Sequence, residues 1–179
     1  MKLAALAALG LSATAVVACA GAPHTANAPA GVTEKQAGAS GEAAEAHRAP
    51  FETNVLKAAR DNEDYRRVLF TGAKTQLVLM TIVPGGDIGF ETHPNVEQLV
   101  FIASGQGKAV LDGTVSPVAA GDVIVVTPGS HHDVVNTGSE PLHIYTVYAP
   151  PNHIDGRVHR TKADAEADKA DEAFGRAVR

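Results

Sequence analysis

Four polar side chains in the middle of the sequence have the residue types of a metal site. Glu91 and His93 are separated by one residue, Gln98 follows after four more, and His132 comes later in the chain. Imidazole and carboxylate groups bind Fe(II), Mn(II), Ni(II) and Zn(II), and an amide oxygen is a weak further ligand. These residues therefore predict a site for one divalent metal ion.

The chemistry of such a site depends on its open positions. Glu91, His93 and His132 form a two-histidine, one-carboxylate set, which is associated with non-haem iron oxygen chemistry. A weakly bound Gln98 would leave room for a substrate or dioxygen. The ligand set does not identify the bound metal. The general order of affinities among divalent metals would favour copper or zinc at such a site, whatever metal the protein uses.

Short strands must bring these side chains together. Alternate residues of a strand face the same way, so Glu91 and His93 share a face, and the chain returns after the turn at Pro94-Asn95. Apolar runs alternate with turn signals, which is typical of a sandwich or barrel. Strands are predicted at 67–70, 76–83, 88–93, 98–104, 108–111, 114–118, 123–126, 131–135 and 142–148.

The chain divides into four segments. We predict a signal peptide at 1–18, a disordered tether at 19–49, a barrel at 50–152, and a C-terminal loop and helix at 153–179. A short helical lead-in is expected within 54–64, and 153–159 is expected to be a loop. The alanine-rich helix expected at 162–174 should be exposed and pack weakly.

The N-terminus has the pattern of an export signal. Lys2 precedes an apolar run over 3–17, which is too short to span a bilayer, and the sequence Val-Val-Ala-Cys follows at 16–19. That ending resembles a bacterial lipobox, which predicts lipidation of Cys19; the alternative is ordinary cleavage before Gly21. We therefore expect an exported protein of the cell envelope or periplasm, with its N-terminal lipid as the only membrane contact.

Composition excludes some other functions. The 179 residues carry a formal net charge of −5 with a pI near 5.9, so no basic surface for nucleic acid is expected. Cys19 is the single cysteine, which rules out a disulfide within the chain.

Two glycine-bounded motifs carry a resemblance to a known family. The first runs from Gly85 through the ligand candidates to Gly105, and the second from Gly121 through Gly129 and His132 to Asn136. Over about 68–148 the chain resembles the cupin superfamily in its small single-domain form. The resemblance implies an all-β double-stranded β-helix, or jelly-roll, barrel. It also implies one metal held by two histidines and a glutamate of the first motif and a histidine of the second.

The chain departs from the family pattern at two ligand places. Glu91 stands where the first histidine is expected, and Gln98 stands where the glutamate is expected; a further small departure is Thr127 in the usual place of a proline. Small cupins that linearise unsaturated ketouronates also have glutamine in the third place. They keep histidine in the first, so their activity does not carry over.

Neighbouring residues compete for two ligand places. Glu97 is the rival of Gln98, but Gln98 keeps the six residues to Gly105 that the family motif requires. Strand parity then turns Glu97 outward or to the rim. The spacing from Gly129 selects His132 over His131 in the same way.

Other polar residues are candidates for roles beside the metal. Glu97 and Tyr145 are the candidate catalytic residues. Tyr145 shares a strand face with His143, from which either residue would line the cavity; the alternative for Tyr145 is core packing with its hydroxyl hydrogen-bonded. His153 and His159 would be lid or surface residues. Arg66 and Arg67 would hold an anionic substrate or lie at a solvated strand edge.

These observations favour a metal-dependent oxygenase or isomerase acting on a small polar molecule in the cell envelope. The alternative is a non-catalytic module that binds a metal or small ligand on the membrane surface. A barrel without metal would leave Glu91 and two histidines buried at a cost in free energy. Small cupins often pair through their outer sheet, so the resemblance is compatible with a homodimer but leaves the oligomeric state open.

Overall fold

The computed structural model describes residues 49–178, which form ten strands and three helices. The expected signal peptide and nearly all of the expected tether lie outside these residues. The strands are β1 (Arg66–Thr71), β2 (Gln76–Ile82), β3 (Glu91–Thr92), β4 (Glu97–Ser104), β5 (Gln106–Leu111), β6 (Thr114–Ala119), β7 (Val123–Val126), β8 (His131–Asn136), β9 (Leu142–Ala149) and β10 (Val158–His159). The helices are α1 (Val55–Arg60), α2 (Lys162–Ala167) and α3 (Lys169–Arg176).

The strands form two antiparallel sheets around one apolar core. The first has six strands in the order β10-β1-β2-β9-β4-β7, and the second has four in the order β3-β8-β5-β6. Every second residue of β2, β4 and β9 points into the core, as strand alternation requires. The predicted all-β cupin barrel is confirmed.

A two-residue turn at Asp112-Gly113 joins β5 to β6. Leu111 and Thr114 pair across a two-residue turn in which Asp112 has φ 46° and Gly113 has φ 84°. Two positive φ values are typical of the type I′ turn, whose twist matches that of the flanking strands.

The predicted strand over 88–93 is mostly irregular. Only Glu91–Thr92 pairs as a strand, and Asp87 makes an isolated bridge to Val135. Gly89 has φ 84°, which interrupts the extended conformation between these two points. The segment therefore presents Glu91 on a very short strand at the barrel edge.

Helix α1 packs on the outer face of the six-stranded sheet. Ala59 of this helix forms a small apolar cluster with Leu79 and Ala103, against which Leu69 and Tyr145 pack. The side chain of Asn54 caps the helix by accepting a hydrogen bond from the backbone N–H of Lys57 at 3.0 Å.

The C-terminal segment differs from the sequence prediction in three ways. The single expected helix is two helices, because Asp168 ends α2 and caps α3 through its side chain. The expected loop contains β10, which pairs with β1. The expected weak packing is also wrong, since Asp171 of α3 is only 3% exposed. A buried polar contact, which apolar periodicity does not reveal, anchors this helix.

None of the helices within residues 49–178 has the length and apolar character needed to cross a lipid bilayer.

Candidate metal centre

Strands β3 and β8 place the three strongest ligand candidates together. Glu91 is the register partner of His132, and His93 follows Glu91 by two residues. The ring centroids of His93 and His132 are 5.2 Å apart. One ligand atom from each of the three residues lies within 4.8 Å of the others, so the cluster could hold one metal ion.

The two imidazoles direct buried nitrogen atoms into this cluster. Nε2 of His132 and Nε2 of His93 make no hydrogen bond of normal geometry, and Nε2 of His93 lies 3.4 Å from Oε2 of Glu91. Nδ1 of His132 lies 3.3 Å from the carbonyl oxygen of Ser130, which fixes a tautomer with the lone pair on Nε2. Nδ1 of His93 lies 3.5 Å from the side-chain amide of Asn152. Buried unpartnered nitrogens beside a carboxylate fit a divalent metal ion.

The protonation states also suit metal binding. Burial alone would raise the pKa of Glu91, but His93 and the guanidinium of Arg66 lower it to about 2. Burial lowers the pKa of His132 below its usual value. A carboxylate and neutral imidazoles are the forms that bind metals, because bound protons must otherwise leave first.

Gln98 points into the barrel from the opposite sheet, whereas its neighbour Glu97 is exposed. The Gln98 side chain is 1% exposed, and its Nε2 donates a hydrogen bond to Oγ1 of Thr146 at 3.1 Å. Its Oε1 is buried without a partner. Gln98 is therefore placed on the inner face with an unpartnered oxygen, as a weak fourth ligand requires.

Neither candidate catalytic residue belongs to the cluster or lines the cavity in front of it. Glu97 faces solvent, and Tyr145 stacks on Phe101 with ring centroids 4.7 Å apart on the outer face of the sheet. Parity shows that Tyr145 and His143 share a face, but it does not say which face is inside. His143 contacts Oγ1 of Thr81 at 3.3 Å rather than the cluster.

The inward tyrosine of β9 is Tyr148, which sequence reasoning missed. Its ring lies 5.9 Å from that of His93 and 5.1 Å from that of His153, and burial raises its pKa. The alternation of Leu142, Ile144, Thr146 and Tyr148 would have indicated it once one inward residue of β9 was known.

His131 is exposed beside the buried His132, as parity predicts. Its Nδ1 lies 2.8 Å from Oγ1 of Thr92, so it makes a strand-to-strand contact at the surface. His131 therefore provides a natural control for substitutions of His132.

A cavity of about 610 Å³ opens in front of Glu91 and His93. Tyr65 and Arg66 form part of its wall on the barrel side. On the other side it is closed by α2 and α3, with Lys162, Glu166, Lys169, Asp171, Glu172 and Arg176.

Asp171 ties α3 to the barrel. Its Oδ2 accepts a hydrogen bond from Nδ1 of His153 at 2.7 Å, and its Oδ1 accepts one from the backbone N–H of Ile154 at 2.7 Å. Burial would raise the pKa of Asp171, but His153, Ile154 and Arg66 lower it overall. His153 is buried in this arrangement, which agrees with a lid position rather than a free surface. His159 is also buried, and its Nε2 lies 3.1 Å from Oδ2 of Asp168.

Comparisons with known proteins define the class to which this fold and site belong. The family described as Cupin domain matches residues 78–148. The uncharacterized protein YrkC of Bacillus subtilis strain 168 is 43% identical over 124 residues, which are 66% of this chain and 67% of YrkC. The chain belongs to the cupin family.

Two further relatives extend the comparison. The crystal structure of BH2720 from Bacillus halodurans superposes with a TM-score of 0.66 and 38% identity, covering 66% of this chain and 95% of that one. The oxalate-binding protein of Thermotoga maritima is 31% identical over 68 residues, which are 38% of this chain and 56% of that protein. The family match at 78–148 includes the metal candidates but not Arg66, His153 or Asp171.

Proposed function

We propose that this protein is a metal-dependent cupin enzyme, an oxygenase acting on a small polar molecule. The observation that carries the proposal is the cluster of Glu91, His93 and His132, whose ligand atoms lie within 4.8 Å of one another. Two imidazoles and one carboxylate are the ligand set of non-haem iron oxygenases and leave coordination positions open.

The protein residues have distinct roles in this proposal. Glu91, His93 and His132 would hold the metal, and the buried Oε1 of Gln98 would be available as a weak fourth ligand. A bound Fe(II) supplies redox chemistry, and any of the candidate divalent metals supplies Lewis-acid activation. The cavity of about 610 Å³ admits a small molecule to the side of the cluster formed by Glu91 and His93.

Oxygen consumption tests this proposal directly. The purified protein is loaded with Fe(II) without oxygen and then given air with a panel of catechols, diketones and flavonoids. We expect at least one compound to cause oxygen uptake, which His132→Gln abolishes and the exposed control His131→Gln retains. Turnover without oxygen in the Mn(II) or Zn(II) protein would contradict the oxygenase and favour a metal-dependent isomerase.

A second candidate is a module that binds a small ligand without converting it. The name of the oxalate-binding protein of Thermotoga maritima, 31% identical over 68 residues, favours this alternative. Calorimetric titration of the Mn(II)-loaded protein with oxalate, followed by recovery of the ligand, distinguishes the two. Stoichiometric binding with unchanged ligand and no oxygen uptake by the Fe(II) protein would favour the binding module.

We further propose that the protein acts in the cell envelope, held by a lipid on Cys19. The support is the sequence alone: Lys2, the apolar run over 3–17 and the Val-Val-Ala-Cys ending. These residues lie outside the part of the chain that the structure describes.

A further inference from the structure

We infer that Arg66 is the binding group for a carboxylate of the substrate, and that Asp171 of α3 is the positioning residue that holds Arg66 beside the cavity. This inference rests on the proposed metal site, since it assigns the charge of the molecule that approaches it. Four observations support it: the contacts of Arg66, the charge balance of the site, the pairing of the other cations and the anchoring of α3.

Arg66 is a buried cation whose bonding capacity is not filled. The residue is 8% exposed and lines the cavity. Its Nη2 lies 3.4 Å from Oε1 of Glu91, its Nη1 lies 3.8 Å from Oδ2 of Asp171, and its Nε has no partner. Charge-assisted bonds of this type are normally about 2.7–2.9 Å long. The guanidinium therefore has donors available for a better acceptor.

With a divalent metal bound, the site carries a net positive charge that an anion would balance. A divalent metal brings two positive charges and Arg66 brings one, whereas Glu91 and Asp171 bring one negative charge each. With neutral imidazoles as ligands, one positive charge remains unbalanced in a partly buried site. Burying an unbalanced charge is costly, so a monoanionic ligand stabilises this arrangement.

The other cations that line the cavity are paired with neighbouring carboxylates. Lys162 pairs with Asp87 and lies 3.8 Å from Glu166, while Lys169 lies 3.1 Å from Glu172. Arg176 pairs with Glu172 as well. The side chains of Lys169 and Arg176 are about three-quarters exposed, at 75% and 76%, so water screens them. Arg66 is the cation that combines burial with proximity to the ligand cluster.

Asp171 is held firmly by groups other than Arg66. Its two hydrogen bonds of 2.7 Å join it to His153 and Ile154, which follow the barrel in the chain. His153 and Ile154 thus fix the Asp171 carboxylate independently of Arg66. The guanidinium of Arg66 lies between this carboxylate and that of Glu91. Because Arg66 and Asp171 both lie outside the family match at 78–148, this arrangement belongs to the flanking segments of the chain.

A carboxylate is the anion that this geometry favours. The planar fork of a guanidinium matches both oxygens of a carboxylate or two oxygens of a phosphate. The single unbalanced positive charge matches a monoanionic carboxylate better than a phosphate, which carries about 1.5 to 2 negative charges near neutral pH.

Matched acids and amides test the inference on the full Mn(II)-loaded protein. Glycolate, pyruvate and benzoate are titrated by calorimetry beside their neutral amides, with inorganic phosphate as a separate titration. We expect at least one carboxylate to bind about tenfold or more tightly than its amide. Equal binding of all acids and amides, or stronger binding of phosphate, would overturn the inference.

Variants assign the preference to Arg66. Arg66→Gln should remove the preference for a carboxylate over its amide. Arg66→Lys keeps the charge but not the planar fork of donors and should weaken this preference. Arg67→Gln, a change at the exposed neighbour, should leave the preference unchanged. Because Asp171→Asn also removes a negative charge, its positioning role is tested by comparison: Arg66→Gln should reduce the carboxylate preference less in Asp171→Asn than in the wild type, and by the wild-type amount in Glu172→Gln on the same helix. Retention of the preference in both Arg66 variants would overturn the inference.

The metal dissociation constant is measured for every variant and separates this inference from the proposed function. Removing the cation at position 66 takes a positive charge away from the metal, so Arg66→Gln should bind metal as well as the wild type or better. A wild-type protein that binds no metal would contradict the proposed function itself. Loss of metal in Arg66→Gln alone would overturn the carboxylate role and favour a role in holding Glu91.

Discussion

Glu91 and His132 lie directly opposite each other in the antiparallel pair formed by β3 and β8. Residues opposed in this way have Cβ atoms roughly 4.5–5.5 Å apart, so their side chains meet without any loop having to close over them. Two residues far apart in the sequence thus become neighbours through strand register. The third member, His93, joins them through the continuation of the same chain segment.

Metal retention should depend on Glu91 and not on Glu97. Glu91→Gln removes the negative charge from the cluster and should weaken metal binding by about 100-fold or more. Changes of residues that only contact a ligand typically lower metal affinity by about 10- to 100-fold, and loss of a charged ligand should have a larger effect. Elemental analysis after dialysis and a metal titration measure this. Glu97→Gln, which alters an exposed carboxylate on the other strand face, should retain the metal. Equal retention by the two variants would contradict the site.

Gln98 should tune metal affinity rather than determine it. Gln98→Leu removes the unpartnered Oε1 and should weaken metal binding by roughly tenfold, while Gln98→Glu should strengthen it by adding a carboxylate. The hydroxyl of Thr146, which now accepts from Gln98, is able to donate to that carboxylate instead. A competition titration with a chelator reports both changes. Identical affinities in all three proteins would remove Gln98 from the ligand set.

The metal-free protein should lose stability as the pH falls below about 6.5, the pKa of an unperturbed histidine. Burial lowers the pKa of His153, so the unfolded chain binds a proton more readily than the folded protein. Between its pKa values in the folded and the unfolded state, each such group lowers the free energy of unfolding by up to about 1.4 kcal/mol for every pH unit of acidification. Urea unfolding at several pH values from 8 to 5 measures this loss.

His153→Gln provides the matching comparison. Its stability should fall less steeply over this range than that of the wild type, with the buried His132 still contributing in both proteins. Parallel curves would show that His153 does not titrate on unfolding. The lowered pKa of Asp171 adds a further loss of stability, with the same sign, once the pH falls below 3.8.

Asn136 should be important for stability although it binds no metal. Its Nδ2 donates to the carbonyl oxygens of Ile82 and Glu140 at 2.8 Å each, and its Oδ1 accepts from the N–H of Gly138 at 2.9 Å. Asn136→Ala leaves these groups without partners and should lower the free energy of unfolding by about 2–4 kcal/mol. Chemical unfolding measures the loss. The control Asn95→Ala removes one exposed bond to Val178 and should change stability by less than about 1 kcal/mol.

Cys19→Ser should release the protein from membranes if the lipid anchor is present. The thiol of Cys19 is the attachment point that the Val-Val-Ala-Cys pattern predicts, and serine cannot be lipidated there. Fractionation of expressing cells and partition into detergent measure the change. The same distribution for both proteins would contradict the anchor and favour ordinary cleavage before Gly21.

Sequence patterns were sufficient for the barrel and for the cluster of Glu91, His93 and His132 that could hold a metal ion. The strands predicted at 123–126, 98–104 and 142–148 match β7, β4 and β9 within one residue at each end. Motif spacing and parity also placed Gln98 inward and Glu97 outward, because alternation along a strand is a local property. Parity fails where no residue of a strand is already oriented, so it did not show that Tyr148, rather than Tyr145, points into the barrel.

The sequence by itself determined the barrel and the residue types at its candidate ligand positions, since spacing and alternation are properties of neighbouring residues. Only the tertiary structure decided that Arg66, His153 and Asp171 stand beside that cluster. The contact between positions 66 and 171 joins the first strand to the last helix, and its partners are polar residues without periodicity. The burial of Asp171 depends on long-range hydrogen bonds, which local sequence patterns do not encode.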